Sequence, residues 1–225
     1  MELAIDTSSN TINLALSYQG KTVAELTWHS GQNHTVELLP GLISLLNQAK
    51  INLPDLSTIF IAKGPGSFNG LRVGMSTAKG LAFALNVPLI GISTLEIEAY
   101  PFAYTELPLC PIHDAGRGEI TVALYQQMGE WRCLQEAYIT TLEVLLNQIR
   151  EQTLFCGEIP SAVILQLRQT LGKKAIIPEA AVRQRRASYL SALGWQRFQK
   201  GNYDDLATLQ PLYLRRPSIT QPKQK

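Results

Sequence analysis

A strand that closes on an aspartate, a small polar turn and a second strand occur together twice in this chain. The first copy is "ELAIDTSSNTINLALSY" from Glu2 to Tyr18, and the second is "CPIHDAGRGEITVALYQ" from Cys110 to Gln126. A lone hairpin is at best marginally stable in water, so each copy has to found a sheet of its own. Two such starts within 225 residues describe two related halves, each large enough to bury a core without disulfides or metals. The proline- and aromatic-rich "PFAYTELPLCP" between them marks the boundary, and we divide the chain into 1–105 and 106–225.

The elements after each hairpin are consistent with that division. In the first half "TVAELTW" is a third strand after a "QGK" turn. The segment from Asn33 to Ala49 carries Val36, Leu39, Leu42, Ile43 and Leu46 at helical spacing, with Asn33 or Thr35 placed to cap it and Pro40 expected to kink it. "LSTIFIA" is a buried strand, "LRVGMSTAKGLAFALN" a second helix and "PLIGI" a further strand. The second half repeats the order: "LEVLLNQI" as helix, "TLFCG" as strand, "PSAVILQLRQTL" as helix, "KKAIIP" as strand and "ASYLSALGWQRFQK" as helix, with "QPLYLRR" as a closing extended segment. An antiparallel hairpin followed by alternating strands and helices is a mixed α/β sheet.

Composition excludes several functions. Hydrophobic residues make up 45% and charged residues 17%, no segment is long and apolar enough to span a bilayer, and "MELAIDTSSN" lacks the basic and apolar regions of a signal peptide. Cys110, Cys133 and Cys156 are odd in number and form no Cys-x-x-Cys pair, so we expect buried free thiols in a reducing cytoplasm. A net charge of +2 gives no case for nucleic-acid binding; "RQRR" at 183–186 and the tail from Arg215 to Lys225 concentrate positive charge and read as solvated loop and terminus. His29, His34 and His113 have no metal-ligand spacing, and no serine sits in a Gly-x-Ser-x-Gly elbow.

"GPGSFNGLRVG", residues 64 to 74, fits neither a Walker loop nor a dinucleotide fingerprint, since no Gly-Lys-Ser/Thr follows and Asn69 stands where a third glycine belongs. Two readings remain. Gly66, Ser67 and Asn69 with the first free amides of the next helix could hold an anion, or the glycines permit a sharp turn and close packing. Asp6, Thr7 and Ser8 in the first hairpin turn could surround a phosphate, with the aspartate on a magnesium-bound water. The alternative is an ordinary turn.

Residues 51–95 carry only Asp55, Lys63, Arg72 and Lys79 as charges, about half the density of the whole chain. The helix over Val73 to Leu85 is apolar nearly all round, with Arg72, Ser76 and Lys79 as its polar line, and such a helix buries two sides. In the preceding helix Leu38 and Leu45 fall away from the Leu39, Ile43, Leu46 face. The residues expected to meet another subunit are therefore His34, Leu38, Leu42, Leu45, Arg72, Val73, Met75, Ala78, Lys79 and Ala82, with Gly74 and Ala78 allowing close helix approach. A thick internal core explains the same pattern.

"IDTSSNTINLAL", "NHTVELLPGLISLL", "AKGPGSFNGLRVGMSTAKGLAFALNVPLIGIST", "DAGRGEITVALY" and "PLYLRR" together resemble the TsaB (YeaZ) family over nearly the whole chain. The resemblance implies two tandem domains of the actin, sugar-kinase and Hsp70 (ribonuclease H-like) type. It also implies a noncatalytic partner or activator in making N6-threonylcarbamoyladenosine beside the anticodon of tRNAs that read codons beginning with A. The implied partners are TsaD, which carries the active site, and the ATPase TsaE. A homodimer is expected when the chain is alone, tRNA contact only through the complex, and any nucleotide at the interface with TsaD. TsaD proteins hold a metal with two histidines after the corresponding strand; this chain reads "STLEIE" from Ser93 to Glu98, with Thr94 and Glu98 at those places, so the resemblance implies no metal here. Only Gly157 stands where nucleotide binders of the fold carry two glycines, and Asn69 and Gly116 replace a threonine and an arginine of the family pattern. A nucleotide-dependent kinase of the same fold, using Asp6 or Asp114 with magnesium, is the rival reading; a peptidase lacks both a nucleophile and a metal constellation.

Overall fold

The computed structural model describes residues 1–215. Its first sheet is built from β1 (Glu2–Asp6), β2 (Thr11–Tyr18), β3 (Lys21–His29), β4 (Thr58–Gly64) and β5 (Leu89–Ser93), with α1 (His34–Ala49) and α2 (Phe68–Leu85) in the connections. The strand order is β3-β2-β1-β4-β5: the first three strands run antiparallel, while β4 pairs parallel with β1 and β5 with β4. After α3 (Thr94–Ala99) and a 3-10 stretch over Tyr100–Thr105 the plan repeats with β6 (Leu109–Gly116), β7 (Glu119–Met128), β8 (Glu130–Thr141), α4 (Leu142–Gln148), β9 (Thr153–Cys156), α5 (Ser161–Leu171), β10 (Ala175–Ile176) and α6 (Ala187–Gln199). Its order, β8-β7-β6-β9-β10, matches that of the first sheet strand for strand. The repeated hairpin thus founds two mixed sheets of the same strand order.

Period-two alternation decides which layer each strand residue joins. Leu3, Ile5, Ile59 and Ile61 point to the face covered by α1 and α2, where Leu38, Leu42, Met75 and Ala78 meet them. Ala4, Phe60, Ala62 and Ile92 point to the opposite face, which is covered by α6 through Leu190 and Leu193. The closing helix therefore packs on the first sheet, and α3 packs on the second, with Leu95, Ala99 and Phe102 against Leu109, Tyr125 and Leu154. α4 and α5 cover the remaining face of the second sheet. Gly194 makes the exchange close, because a Cβ there would run into the Phe60 ring.

Local details depart from the sequence reading in small ways. α1 runs unbroken from His34 through Pro40, and the Asn33 side chain makes no cap bond. Ser67 does cap α2, accepting from the Gly70 amide at 3.3 Å. β10 has two residues where six were expected, and no strand forms over 210–215. Cys133 is exposed while Cys110 and Cys156 are buried, so the expectation of three buried thiols is corrected at Cys133: it lies on the edge strand β8. Residues 216–225, most of the basic tail, lie outside the described residues. Among the described residues no helix is long and apolar enough to cross a membrane.

Candidate functional site

The glycine-rich loop is clamped onto the first hairpin turn. The Ser67 amide donates to the Ser8 carbonyl at 2.7 Å, and the Thr7 hydroxyl donates to the Gly70 carbonyl at 2.8 Å. A Cβ at Gly66 or Gly70 would overlap the Ser8 or Thr7 carbonyl, and one at Gly74 would overlap the Thr7 hydroxyl. Of the two readings of "GPGSFNGLRVG", close packing is therefore observed directly: the glycines let α2 start against the Asp6–Ser8 turn. Gly66 and Asn69 stay exposed and Ser67 half-buried, while Asp6, Thr7 and Ser8 are buried.

Arg185 fills the place beside that turn. Its guanidinium donates to Ser8 Oγ, lies 3.5 Å from Asp6 Oδ2, and donates to Glu98 Oε1 at 3.0 Å and Glu158 Oε1 at 2.8 Å. Asp6 Oδ1 accepts from both the amide and the hydroxyl of Ser8, at 2.9 and 2.5 Å. Both oxygens of Asp6 are thus engaged within the protein, and the charge that a magnesium-bound phosphate would need is already neutralised by a guanidinium. The other oxygen of Glu98 lies 2.6 Å from His113 Nε2 on β6. Burial pushes the Glu98 carboxyl up, but the charges of His113 and Arg185 and their hydrogen bonds outweigh it, and the group is held below the ordinary carboxylate value. For Arg185 burial opposes the charge, and Glu98, Asp6 and Glu158 more than restore it, raising its pKa further. The junction ties the first half, through Asp6 and Ser8, to the second, through Glu158 and His113.

This corrects the reading of "RQRR" as solvated loop at Arg185 and in part at Arg183, while Gln184 and Arg186 are exposed as expected. Arg185 is 7% exposed, Arg183 donates to the Pro178 and Gly157 carbonyls at 3.0 and 2.8 Å, and Arg186 pairs with Glu25 at 2.6 Å. Thr94 and Glu98 are also interior: Thr94 Oγ1 is buried without a hydrogen-bond partner, and Glu98 is the acid of the junction. Asp114 is exposed and accepts from the Gly116 amide at 2.8 Å, as in an ordinary turn. A cavity of about 570 Å³ borders the junction between the halves, reached by Ser9, Asn13, Glu158 and Arg183.

The two helices expected to face a partner bury most of the residues named for that role and expose a different stripe. Leu38, Leu42, Leu45, Met75, Ala78 and Ala82 lie in the core under the first sheet, and His34 is buried with Nε2 donating to the Ser9 carbonyl at 2.8 Å. Of the ten residues proposed for the interface, Arg72 is exposed and Val73 and Lys79 are half-buried. The outward face of α1 instead carries Val36, Leu39 and Ile43, 69%, 48% and 54% exposed, and the last turn of α2 carries Phe83 at 81%. From Arg72 onward along α2 the exposed positions Arg72, Ser76, Gly80, Phe83 and Ala84 contain a run of small residues at spacing four, Ser76, Gly80 and Ala84. A Cβ at Gly80 would meet nothing within 4 Å. The inversion has a simple cause. α1 carries two apolar stripes, Leu38-Leu42-Leu45 and Val36-Leu39-Ile43, and periodicity alone cannot say which one the sheet takes.

The same inversion moves the close-approach positions. Gly74 and Ala78 face Thr7 and the sheet, so the small residues available to a neighbouring helix are Ser76, Gly80 and Ala84. Burying Val36, Leu39, Ile43 and Phe83 against another surface is worth roughly 1.5–3 kcal/mol for each side chain fully covered. Arg185 was absent from the sequence-derived sites because a single arginine in a basic run carries no sign of the carboxylates, 27 to 179 residues away, that converge on it.

A family model described as TsaD, tRNA N6-adenosine threonylcarbamoyltransferase, matches residues 28–222. The tRNA threonylcarbamoyladenosine biosynthesis protein TsaB of Bacillus subtilis is 35% identical over 220 residues, spanning 95% of this chain and 93% of the relative. The protein of the same name from Escherichia coli is 28% identical, spanning 95% and 94%. A crystal structure of an uncharacterized Pseudomonas aeruginosa protein with similarity to peptidase YeaZ superposes with a TM-score of 0.78 at 25% identity, covering 95% of this chain and 99% of that one.

Proposed function

The chain belongs to the TsaB family of tRNA threonylcarbamoyladenosine biosynthesis proteins, and on that premise we propose that it serves the modification as a noncatalytic subunit. It pairs with a TsaD protein, which supplies the chemistry, and with TsaE; alone it pairs with a second copy of itself. The observation that carries this reading is the outward face of α1 and α2, where Val36, Leu39, Ile43 and Phe83 flank the small residues Ser76, Gly80 and Ala84. Small residues let a neighbouring helix approach, and the apolar side chains around them stabilise the contact by burial. The occupied Asp6–Ser8 turn supports the noncatalytic part, because the Arg185 guanidinium already lies against the Asp6 carboxylate that the kinase reading would use with magnesium.

In this reading 1–105 and 106–225 are the two domains, with α6 returned to the first, and the protein works in the cytoplasm. tRNA is met through the complex, and a nucleotide, where one is bound, sits at the TsaD interface. The test is co-expression with a TsaD protein and TsaE. A stable complex and threonylcarbamoyladenosine formation that requires this chain are expected. Modification at the same level without the chain would overturn the proposal. Calorimetry with ATP and magnesium on the isolated chain addresses the kinase reading, for which tight stoichiometric binding with turnover would be the required result.

A further inference from the structure

The parallel pairing of β9 and β10 brings two basic connections to one end of the second sheet. At the amino ends of these strands the chain carries Arg150 before β9, Arg168 in the last turn of α5, and Lys173 and Lys174 in the 3-10 turn before β10. The connections touch. The Gln152 side chain donates to the Lys173 carbonyl at 3.2 Å, the Gly172 amide donates to the Arg168 carbonyl, and Thr153 stands beside Ala175 in the register. All four cations are exposed, and none forms an ion pair among the described residues. Glu151 and, one strand further, Glu106 before β6 are the carboxylates at this end; Glu158 and Glu179 follow the strands at the other.

The "RQRR" run is different: Arg183, Arg185 and Arg186 each donate to groups of the protein itself. The basic run of the sequence is thus spent internally, while the free basic surface is assembled from positions 150 to 174 and is concealed by a net charge of +2. The negative end of the α5 macrodipole favours cations around that helix's last turn, which accounts for Arg168 and Lys173 but not for Arg150 on the other connection. Exposed like charges at one corner repel one another until an external anion lies among them. Because all four are exposed rather than buried around a common point, they suit the successive charges of a chain. Gln169 and Thr170, exposed beside Arg168, add uncharged hydrogen-bonding groups. Leu165 is the one large exposed apolar side chain on α5, too little to seat the corner in lipid.

We propose that this corner of the second half holds the phosphate backbone of an RNA strand. Arg150, Arg168, Lys173 and Lys174 neutralise successive phosphates, and Gln169 and Thr170 reach phosphate or sugar oxygens, so the contact positions the RNA without reading its bases. The proposal rests on the reading that the chain serves tRNA modification, which supplies the RNA. It uses no residue of the outward face of α1 and α2, so it can fail while the pairing stands.

The test variant carries Arg150→Gln, Arg168→Gln, Lys173→Gln and Lys174→Gln, all at exposed positions, so it retains the fold. A control carrying Lys21→Gln, Arg117→Gln, Arg132→Gln and Lys200→Gln removes the same charge from exposed positions elsewhere. Binding of an unmodified tRNA transcript is read by fluorescence anisotropy over a potassium chloride series, for the chain alone at low salt and for its complex with TsaD and TsaE. The test variant is expected to bind at least roughly tenfold more weakly, with a slope of log affinity against log salt shallower by about 2–4, and the control to stay within about twofold of the parent. TsaD pairing, measured by calorimetry, is expected to be unchanged in both. Unchanged tRNA affinity in the test variant would overturn the proposal, as would equal weakening in the control. Polyglutamate or phosphatidylserine vesicles binding the parent as tightly as tRNA, and losing as much in the test variant, would overturn the assignment to RNA. A chain that does not pair with TsaD would overturn the pairing proposed above, and the tRNA titration of the chain alone would still decide this one.

Discussion

The Arg185 junction and the outward face of α1 and α2 are opposite solutions to the same sequence material. At the junction Asp6, Glu98 and Glu158 converge on one buried guanidinium, and the polar groups there are engaged with one another. On the helical face Val36, Leu39, Ile43 and Phe83 project into solvent around small residues that leave room for another backbone. In the first region the Asp6–Ser8 turn, whose residues could have surrounded a phosphate, is held from within by the Arg185 guanidinium. The proposed function assigns partner binding to the second. The comparison teaches that one cation placed among buried carboxylates lets them be satisfied within the protein, whereas exposed apolar side chains have no such internal partner.

The largest effect expected comes from confusing the two sides of α2. Gly74→Arg drives a charged side chain into Thr7 and Ile61, and is expected to prevent folding or to cost more than about 4 kcal/mol, read by thermal unfolding. Next is Arg185→Met, which leaves Asp6 and Glu98 buried without their cation. It is expected to destabilise by about 3–5 kcal/mol in urea unfolding, and a loss below about 1 kcal/mol would show that the junction is not the internal lock described. On the open face, Ile43→Glu and Phe83→Glu are expected to leave stability within about 0.5 kcal/mol of the parent. They should nonetheless weaken TsaD pairing about tenfold or more, measured by calorimetry.

The smallest effect is one of pH. Glu98 is held below its ordinary value in the folded protein, so the unfolded chain binds the proton more readily as pH falls. Its stabilising contribution is complete above the ordinary carboxylate range and is lost as pH falls through the lowered folded value. Glu98→Gln is expected to be less stable at neutral pH and to flatten that acid limb. An unchanged limb would mean that other carboxylates set it.

Much of the fold was legible because it rests on local pattern. The two Asp-closed hairpins, the period-two strands and the helices at 68–85 and 187–199 each announce themselves within a short window. What was not legible needs a third dimension. "HTVELLPGLISLLNQA" offers two apolar stripes, and only the sheet beneath selects Leu38-Leu42-Leu45 over Val36-Leu39-Ile43. The glycines of 64–74 look alike in sequence to Gly80, yet Gly66, Gly70 and Gly74 touch the Asp6 turn while Gly80 touches nothing. Arg185 finds Asp6 across 179 residues, a separation at which no spacing rule operates.

Gly80→Arg tests the central claim most directly. The substitution fills open space, and replacing a mid-helix glycine is expected to stabilise the isolated chain slightly, by up to about 1 kcal/mol. The same side chain stands in the path of an approaching helix. With TsaD and TsaE present, the variant is expected to elute as a folded, unpaired monomer in light-scattering chromatography and to support no threonylcarbamoyladenosine formation. A folded Gly80→Arg protein that pairs with TsaD and supports modification as the parent does would contradict the account.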